Sequence, residues 1–219
     1  PYTLTDQEEY VIEMLLASFQ QSTSMQKHMR LLLEKGSMYL VYNQHLLFHG
    51  CLPLKDDGSF LPLEVAGKAY TGKELLNFFE EQIRSGCQNQ RTDSSEADWI
   101  WYCWTGKISP QFGKSAMTTF ERYFIADKQT HREIKNPYYQ FRDTRETCQM
   151  ILEEFALYSP NSRIINGHTP VKVKGGESPI KGEGMLFVID GGLSEAYQKT
   201  TGIAGYSLLN NSYGFQLVT

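Results

Sequence analysis

The sequence predicts a layered α/β fold, in which strand segments near both ends of the chain flank a mostly helical middle. Hydrophobic residues recur at helical spacing in the first 35 residues and again after Thr71. Short apolar runs of strand length end at His49 and precede Gly167 and Asp190. The helical pattern takes over at Pro53. We therefore expect sheet and helix to share one layered unit.

The change of pattern also predicts the domain organisation. Strand-like patterning stops at Pro53 and returns near Arg163. We expect residues 1–53 and 159–219 to form the core, and residues 54–158 to form a helical insertion or cap.

The first elements have clear boundary signals. Thr5 and Glu8 have the spacing of a capping box, which predicts a helix beginning there. A second helix is expected over residues 24–35, with Gly36 as its stop. The apolar runs 38–42 and 45–49 predict two strands joined by a tight turn.

Later elements follow from the same signals. A capping-box spacing at Thr71 predicts a helix after it, and the polar residues 85–97 predict an exposed loop. Periodicity predicts a further helix over 143–155. The expected C-terminal strands are 163–165, 185–189, 203–209 and 213–218.

Composition excludes several classes of protein. The 219 residues include 41% hydrophobic residues, which excludes a disordered chain. A formal charge of −4 argues against a nucleic-acid or membrane-surface partner. No run approaches the 18 apolar residues of a membrane span. The four cysteines match no metal or redox spacing, and with no signal peptide they indicate a reducing, cytoplasmic location.

Two histidines stand at the ends of strand-like runs. His49 precedes Gly50, and His168 lies between Gly167 and Thr169. Glycine lets the chain turn sharply and leaves room for an ion, and neutral imidazole is a common metal ligand. Either histidine alone is better explained as a hydrogen-bonded strand end. Together, the two contexts favour a metal site.

The residues around these histidines resemble known motifs. Leu47-Phe48-His49-Gly50-Cys51-Leu52-Pro53 is similar to the late histidine motif of the calcineurin-like metallophosphatases, and Ile165-Asn166-Gly167-His168-Thr169-Pro170 to their final Gly-His motif. Longer runs resemble the class III fructose-1,6-bisphosphatases of bacteria. These runs are residues 35–54, 117–125, 165–192 and 196–208.

The resemblance implies a fold and a reaction. The fold would be part of a calcineurin-like layered β-sandwich core. The reaction would be hydrolysis of fructose 1,6-bisphosphate to fructose 6-phosphate and phosphate, a step of gluconeogenesis. Two divalent ions, manganese by resemblance, would share a hydroxide that attacks the phosphate in line. His49 and His168 would be ligands of the second ion.

The family's earlier motifs do not occur in this sequence. They are Asp-x-His-Gly, Gly-Asp-x-x-Asp-Arg-Gly and Gly-Asn-His-Asp/Glu. We therefore expect this chain to correspond to the C-terminal part of such an enzyme, to need the N-terminal part of the same polypeptide, and to be inactive alone. The alternative is a non-catalytic regulatory or interface module of that polypeptide. Neither reading predicts an oligomeric state.

Other candidate site residues are cations and residues near the strand ends. Arg122, Lys114 and Lys135 are candidates for binding substrate phosphate, because a bisphosphate needs cationic contacts. For each lysine the alternative is a solvated surface charge. Asp190 and Thr169 are candidates for lining the site. The alternatives are a turn aspartate and a threonine without a role.

Overall fold

The structure is a computed structural model, and it describes residues 3–89 and 93–219. The chain divides into two compact units, Pro1–Ser37 and Met38–Thr219. The predicted α/β class is confirmed, since helices and sheets both occur. The predicted boundaries at residues 53 and 159 stay a prediction. Among the described residues, no helix combines the length and the apolar character needed to cross a bilayer.

The first unit contains two helices, α1 (Asp6–Gln21) and α2 (Thr23–Lys35). The predicted capping box is present, because the Thr5 side chain accepts from the Glu8 backbone N–H and the Glu8 carboxylate accepts from the Thr5 N–H. Gly36 caps α2, as its spacing predicts. No residue of either helix is buried.

The second unit carries the remaining elements. Its helices are α3 (Gly72–Asn89), α4 (Ser95–Thr105), α5 (Thr119–Phe124), α6 (Tyr138–Phe141), α7 (Arg145–Glu154) and α8 (Glu195–Thr201). Its strands are β1 (Tyr39–Tyr42), β2 (His45–Phe48), β3 (Leu63–Val65), β4 (Lys68–Tyr70), β5 (Ile164–Asn166), β6 (Ile180–Lys181), β7 (Leu186–Val188), β8 (Ser207–Asn211) and β9 (Gly214–Val218). Short 3-10 turns occupy Lys128–His131, Val173–Gly175 and Gly182–Gly184.

A five-stranded sheet organises the second unit. Its strand order is β1-β2-β5-β7-β6, with β2, β5 and β7 parallel and the two outer strands antiparallel. In β1–β2 the turn residues Asn43 and Gln44 both have positive φ, as the tight hairpin turn expected there requires. The hairpins β3–β4 and β8–β9 form two separate small sheets.

The loop predicted over residues 85–97 is largely wrong. Helix α3 continues to Asn89 and α4 begins at Ser95; residues 90–92 lie outside the described residues. Residues 85–89 form the last turn of α3, where Gln88 and Asn89 are exposed, and residues 95–97 form the first turn of α4. Gly86 allows close packing of the two helices, since a Cβ there would lie 2.7 Å from Ile100 Cδ1. The polar composition therefore indicated solvent exposure for only part of the stretch, and it did not exclude a helix.

Two buried clusters form the core of the second unit. The larger one packs the central strands against α7, with Leu46, Ile164 and Leu186 fully buried. The smaller one packs α3 against α4 through Phe79 and Cys103, with partly buried aromatic side chains around them. The tryptophan-rich segment thus contributes to packing, although Trp101 and Trp104 remain exposed.

One glycine fixes the path of the chain beyond β2. Gly50 follows β2, and the N–H of the next residue, Cys51, donates to Pro110 O at 2.7 Å. A Cβ on Gly50 would lie 2.0 Å from the same carbonyl oxygen, so only glycine fits without moving the backbone. The segment after β2 and the segment at Pro110 are therefore held in direct contact.

Gly50→Ala should lower the unfolding free energy by about 1–3 kcal/mol, the usual cost of forcing an extra methyl group into a packed site. Gly175→Ala is the matched control, because its added Cβ would meet nothing nearer than 3.7 Å. Chemical denaturation of both variants measures the difference. Equal midpoints for the two variants would contradict the close approach at Gly50.

Candidate functional site

The candidate site lies at the carboxyl edge of two parallel strands. Strands β2 and β5 pair in a register that sets Phe48 opposite Asn166. The chain leaves both strands at the same edge, and the Gly167 N–H donates to His49 O at 3.0 Å. His49 and His168 are therefore brought together from positions far apart in sequence. Ligand sites commonly form at this edge of a parallel sheet.

The two imidazole rings face each other. His168 Nδ1 lies 3.3 Å from His49 Nε2, and the ring centroids are 5.2 Å apart. His168 Nε2 lies 3.3 Å from Phe112 O. His49 is exposed and His168 is half-buried. Burial, followed by the neighbouring His49, lowers the pKa of His168, which favours the neutral imidazole that binds metals.

The backbone at this corner is specialised for the close approach. His168 has φ 65°, a left-handed conformation that few residues other than glycine adopt. A Cβ on Gly167 would lie 3.3 Å from His49 Nδ1, so a larger residue would press on the ring. Strained backbone of this kind is often found at functional sites.

The histidine pair fits part of a metal shell. Two nitrogen ligands about 2.1 Å from one ion, at an angle of about 90–109°, lie about 3.0–3.4 Å apart. The observed nitrogen–nitrogen distance of 3.3 Å falls in this range. Within residues 3–89 and 93–219, however, no group of three His, Cys, Asp or Glu side chains could hold a metal. The pair can therefore supply two ligands but not a complete site.

Asn166 holds the corner in place. Its buried side-chain amide lies within hydrogen-bond distance of three successive carbonyl oxygens that begin at the last residue of β2: Phe48 O at 3.1 Å, His49 O at 3.0 Å and Gly50 O at 2.8 Å. An amide group has two hydrogens, so one of them is shared between two carbonyls. The amide thereby fixes the backbone from which the His49 ring projects.

The other end of the Asn166 side chain holds a buried cation. Asn166 Oδ1 accepts from Arg142 Nη1 at 2.9 Å and from the Tyr138 hydroxyl at 3.2 Å. Both donors are buried. Among the described residues, Arg142 Nε has no hydrogen-bond partner, and it lies 3.9 Å from Asp143 Oδ1. Arg142 is thus a buried positive charge behind the site, held by a neutral amide and a long ion pair with Asp143.

A pocket of about 960 Å³ lies beside the histidines. Thr169 and Pro170, which follow His168 directly, form part of its wall. Lys114 and Lys135 face each other across an isolated antiparallel bridge and also line it. Both lysines that the sequence indicated therefore lie in one cavity. Their role in binding substrate stays a prediction.

Arg122 lies elsewhere. Its Nε donates to Thr118 Oγ1 at 3.0 Å, and its Nη2 donates to His131 O at 3.0 Å. It joins α5 to the following turn and does not line the pocket. A role in substrate binding stays a prediction for this residue too, but the contacts it makes here are structural.

Asp190 and Thr169 lie close to the histidines. Asp190 Oδ1 accepts from the Gly192 N–H at 2.8 Å. This is the contact expected of a turn aspartate, the alternative to a role in the site. Its negative charge also acts on His168, where it raises the pKa and partly offsets the effect of burial. Thr169 lies near the Tyr139 hydroxyl in the pocket wall. Thr169 lines the pocket and Asp190 is not among its lining residues. A role at the site stays a prediction for both.

Sequence reasoning missed Asn166 and Arg142. Asn166 directly precedes Gly167 in a quoted motif, so its position next to a functional histidine was the available signal. Arg142 follows two tyrosines and a phenylalanine in a short stretch, an unusual setting for a solvated charge. No periodicity or spacing links the two residues, because they meet only in the folded chain.

The comparisons with known proteins agree in their outcome. The family model described as Firmicute fructose-1,6-bisphosphatase matches residues 1–219. The chain is 59% identical over 220 residues to a class 3 fructose-1,6-bisphosphatase of Streptococcus sanguinis (strain SK36), covering 100% of this chain and 35% of that protein. It is 59% identical to a class 3 fructose-1,6-bisphosphatase of Pediococcus pentosaceus, and the match covers 100% of this chain and 34% of that protein. It is 54% identical to one of Clostridium tetani, and that match covers 99% of this chain and 33% of that protein.

The chain thus spans about a third of the length of these curated relatives. No solved structure matches it.

Asn166→Asp should displace His49. An aspartate can still accept from Arg142 but cannot donate to the three carbonyls, and a buried group left without its partner costs about 1–3 kcal/mol. We expect a lower denaturation midpoint and shifted imidazole ¹⁵N resonances for His49. The exposed Asn161→Asp is the control. Unchanged His49 resonances in the Asn166 variant would contradict the positioning role.

Proposed function

The chain belongs to the Firmicute fructose-1,6-bisphosphatase family, and we propose that it supplies half of a metal site and the substrate pocket of a fructose-1,6-bisphosphatase. The reaction is hydrolysis of fructose 1,6-bisphosphate to fructose 6-phosphate and phosphate. The observation that carries the proposal is the pair of imidazole nitrogens 3.3 Å apart beside a cationic pocket.

In this proposal His49 and His168 hold one divalent ion of a calcineurin-like core. We propose manganese as the metal. Divalent ions in such a site lower the pKa of a bound water and neutralise the charge of the phosphoryl group. The chain's own contribution is orientation: Asn166 fixes the backbone of one ligand, and the left-handed turn at His168 directs the other toward it.

The pocket orients the substrate in this proposal. Its wall includes Thr169, the residue directly after His168, so a sugar held in the pocket would have one phosphate directed toward the histidines. Lys114 forms an ion pair with Glu133 at 2.9 Å. Although burial favours the neutral acid, hydrogen bonds from Lys114 and Thr118 lower the pKa of Glu133 to about 2. Lys114 is thus held in place by a carboxylate that stays ionised.

The remaining ligands come, in this proposal, from a preceding part of the same polypeptide. Two facts support this: the relatives are about three times as long as this chain, and its described residues offer no third ligand at the histidine pair. The same incompleteness keeps a non-catalytic regulatory or interface module as the second candidate. The four free thiols fit a cytoplasmic setting for either one.

We expect the 219-residue chain alone to release no phosphate from fructose 1,6-bisphosphate. Two imidazoles cannot by themselves hold a pair of divalent ions, which repel each other unless carboxylates lie between them. Phosphate release with added manganese measures this, with His49→Ala as background. Turnover above that background would contradict the proposed division of the site. The polypeptide of the relatives' full length should be active.

In that longer polypeptide, His168→Ala should reduce turnover by about 100-fold or more while the thermal midpoint stays unchanged, because a ligand at a strand end contributes to the site rather than the core. His28→Ala is the matched control, since His28 is an exposed histidine of α2. Full activity of the His168 variant would exclude the metal role. An inactive parent polypeptide would favour the regulatory module.

A further inference from the structure

The pocket beside the histidines concentrates positive charge. Seven cationic side chains and three carboxylates line it, although the chain as a whole has a formal charge of −4. Like charges that share a concave site repel each other, and a bound anion would relieve that repulsion. The charge left for a bound anion depends on which of these cations are already paired.

Three of the cations have protein partners. Lys114 pairs with Glu133, as described above. Lys181 lies 3.2 Å from both Asp143 Oδ2 and Glu177 Oε1, so it uses two of the three pocket carboxylates. Arg142 donates to the neutral amide of Asn166 and lies near Asp143. Two of the three pocket carboxylates are thus already paired with these cations.

Four lysines remain without an ion pair. No carboxylate of the described residues lies within 4.0 Å of the ammonium group of Lys55, Lys107, Lys135 or Lys172. All four are exposed to solvent, and all four border the same cavity. They constitute the uncompensated charge of the pocket.

Lys135 is central to this group. It opposes Lys114 across the isolated bridge, and its ammonium group lies 5.4 Å from the centre of the Tyr139 ring. Burial, and then the positive charges of Lys172 and Arg142, lower the pKa of Lys135. A bound dianion would relieve this repulsion, and a phosphate monoester carries a charge of about −1.5 to −2 at pH 7.

Rigid backbone contacts support the wall that carries Lys135. The Asn136 N–H donates to Gly113 O at 2.9 Å and the Ser115 N–H donates to Ile134 O at 2.8 Å. The buried Asn136 side chain accepts from the Leu54 N–H at 3.0 Å. Hydrogen bonds thus fix the backbone on both sides of Lys135, so the cation is presented from a preformed surface.

We propose that the Lys135 side of this pocket binds the phosphate that is not hydrolysed, with Lys135 and Lys172 as its direct contacts. The inference rests on the proposed function, which places the other phosphate at His49 and His168. This chain would then distinguish a sugar bisphosphate from a sugar monophosphate. Arg142 supplies long-range positive charge from behind, and its buried side chain is a positioning element.

The kinetic test uses the full-length polypeptide with two substrates. Lys135→Gln should lower kcat/KM for fructose 1,6-bisphosphate about tenfold or more, chiefly through KM, since it removes one charge-assisted contact to phosphate. For fructose 1-phosphate, which lacks the second phosphate, kcat/KM should change less than twofold. Lys135→Arg should retain most of the preference, and Lys128→Gln, an exposed lysine outside the pocket, should match the wild type.

A metal-free binding test separates the two proposals. With EDTA present, fructose 6-phosphate should bind the wild type and bind Lys135→Gln about tenfold more weakly, while fructose should bind neither measurably. Equal affinity of both proteins, or an equal loss of kcat/KM for both substrates, would overturn the phosphate site. A wild type that binds fructose 6-phosphate at Lys135 but hydrolyses no bisphosphate would overturn the proposed function and leave the phosphate site supported.

Discussion

The hydrogen bonds of the Asn166 side chain are the interaction on which the candidate site depends. One buried amide connects the three carbonyls after β2 to the end of β5, and its oxygen accepts from Arg142. Parallel pairing alone would bring the two strand ends to one edge without fixing either loop. The hydrogen bonds of the amide fix the loop after β2. The His49 backbone, the turn at His168 and the buried Arg142 therefore form one connected unit.

The site combines two environments with different tasks. The histidine pair is open on the His49 side, and burial lowers the pKa of His168, which favours the neutral form that binds metals. The adjacent pocket is strongly cationic and is walled by segments that hydrogen bonds hold rigid. A polyanionic substrate would be attracted to the second environment and would place its reacting end at the first. In this proposal the lysines would bind the second phosphate, and the imidazoles would remain available to the metal.

Sequence reasoning recovered the local features and missed those created by long-range packing. Helix α1, the hairpin of β1 and β2 and both strand-end histidines carry signals within a few residues. The last turn of α3, which ends at Asn89, was predicted as a loop. Packing of α3 against α4 stabilises this turn, and its own polar residues do not signal that packing. Asn166 and Arg142 were missed because their contacts are with partners from distant segments, which no local spacing encodes.

The central claim is that His49 and His168 bind one ion. Electron spin echo spectroscopy of the full-length polypeptide loaded with Mn²⁺ tests it directly, because imidazole nitrogens bound to manganese modulate the echo. The account predicts ¹⁴N modulation in the wild type, a weaker modulation in His49→Ala and in His168→Ala, and an unchanged one in His28→Ala. Identical nitrogen modulation in all four proteins would contradict the claim.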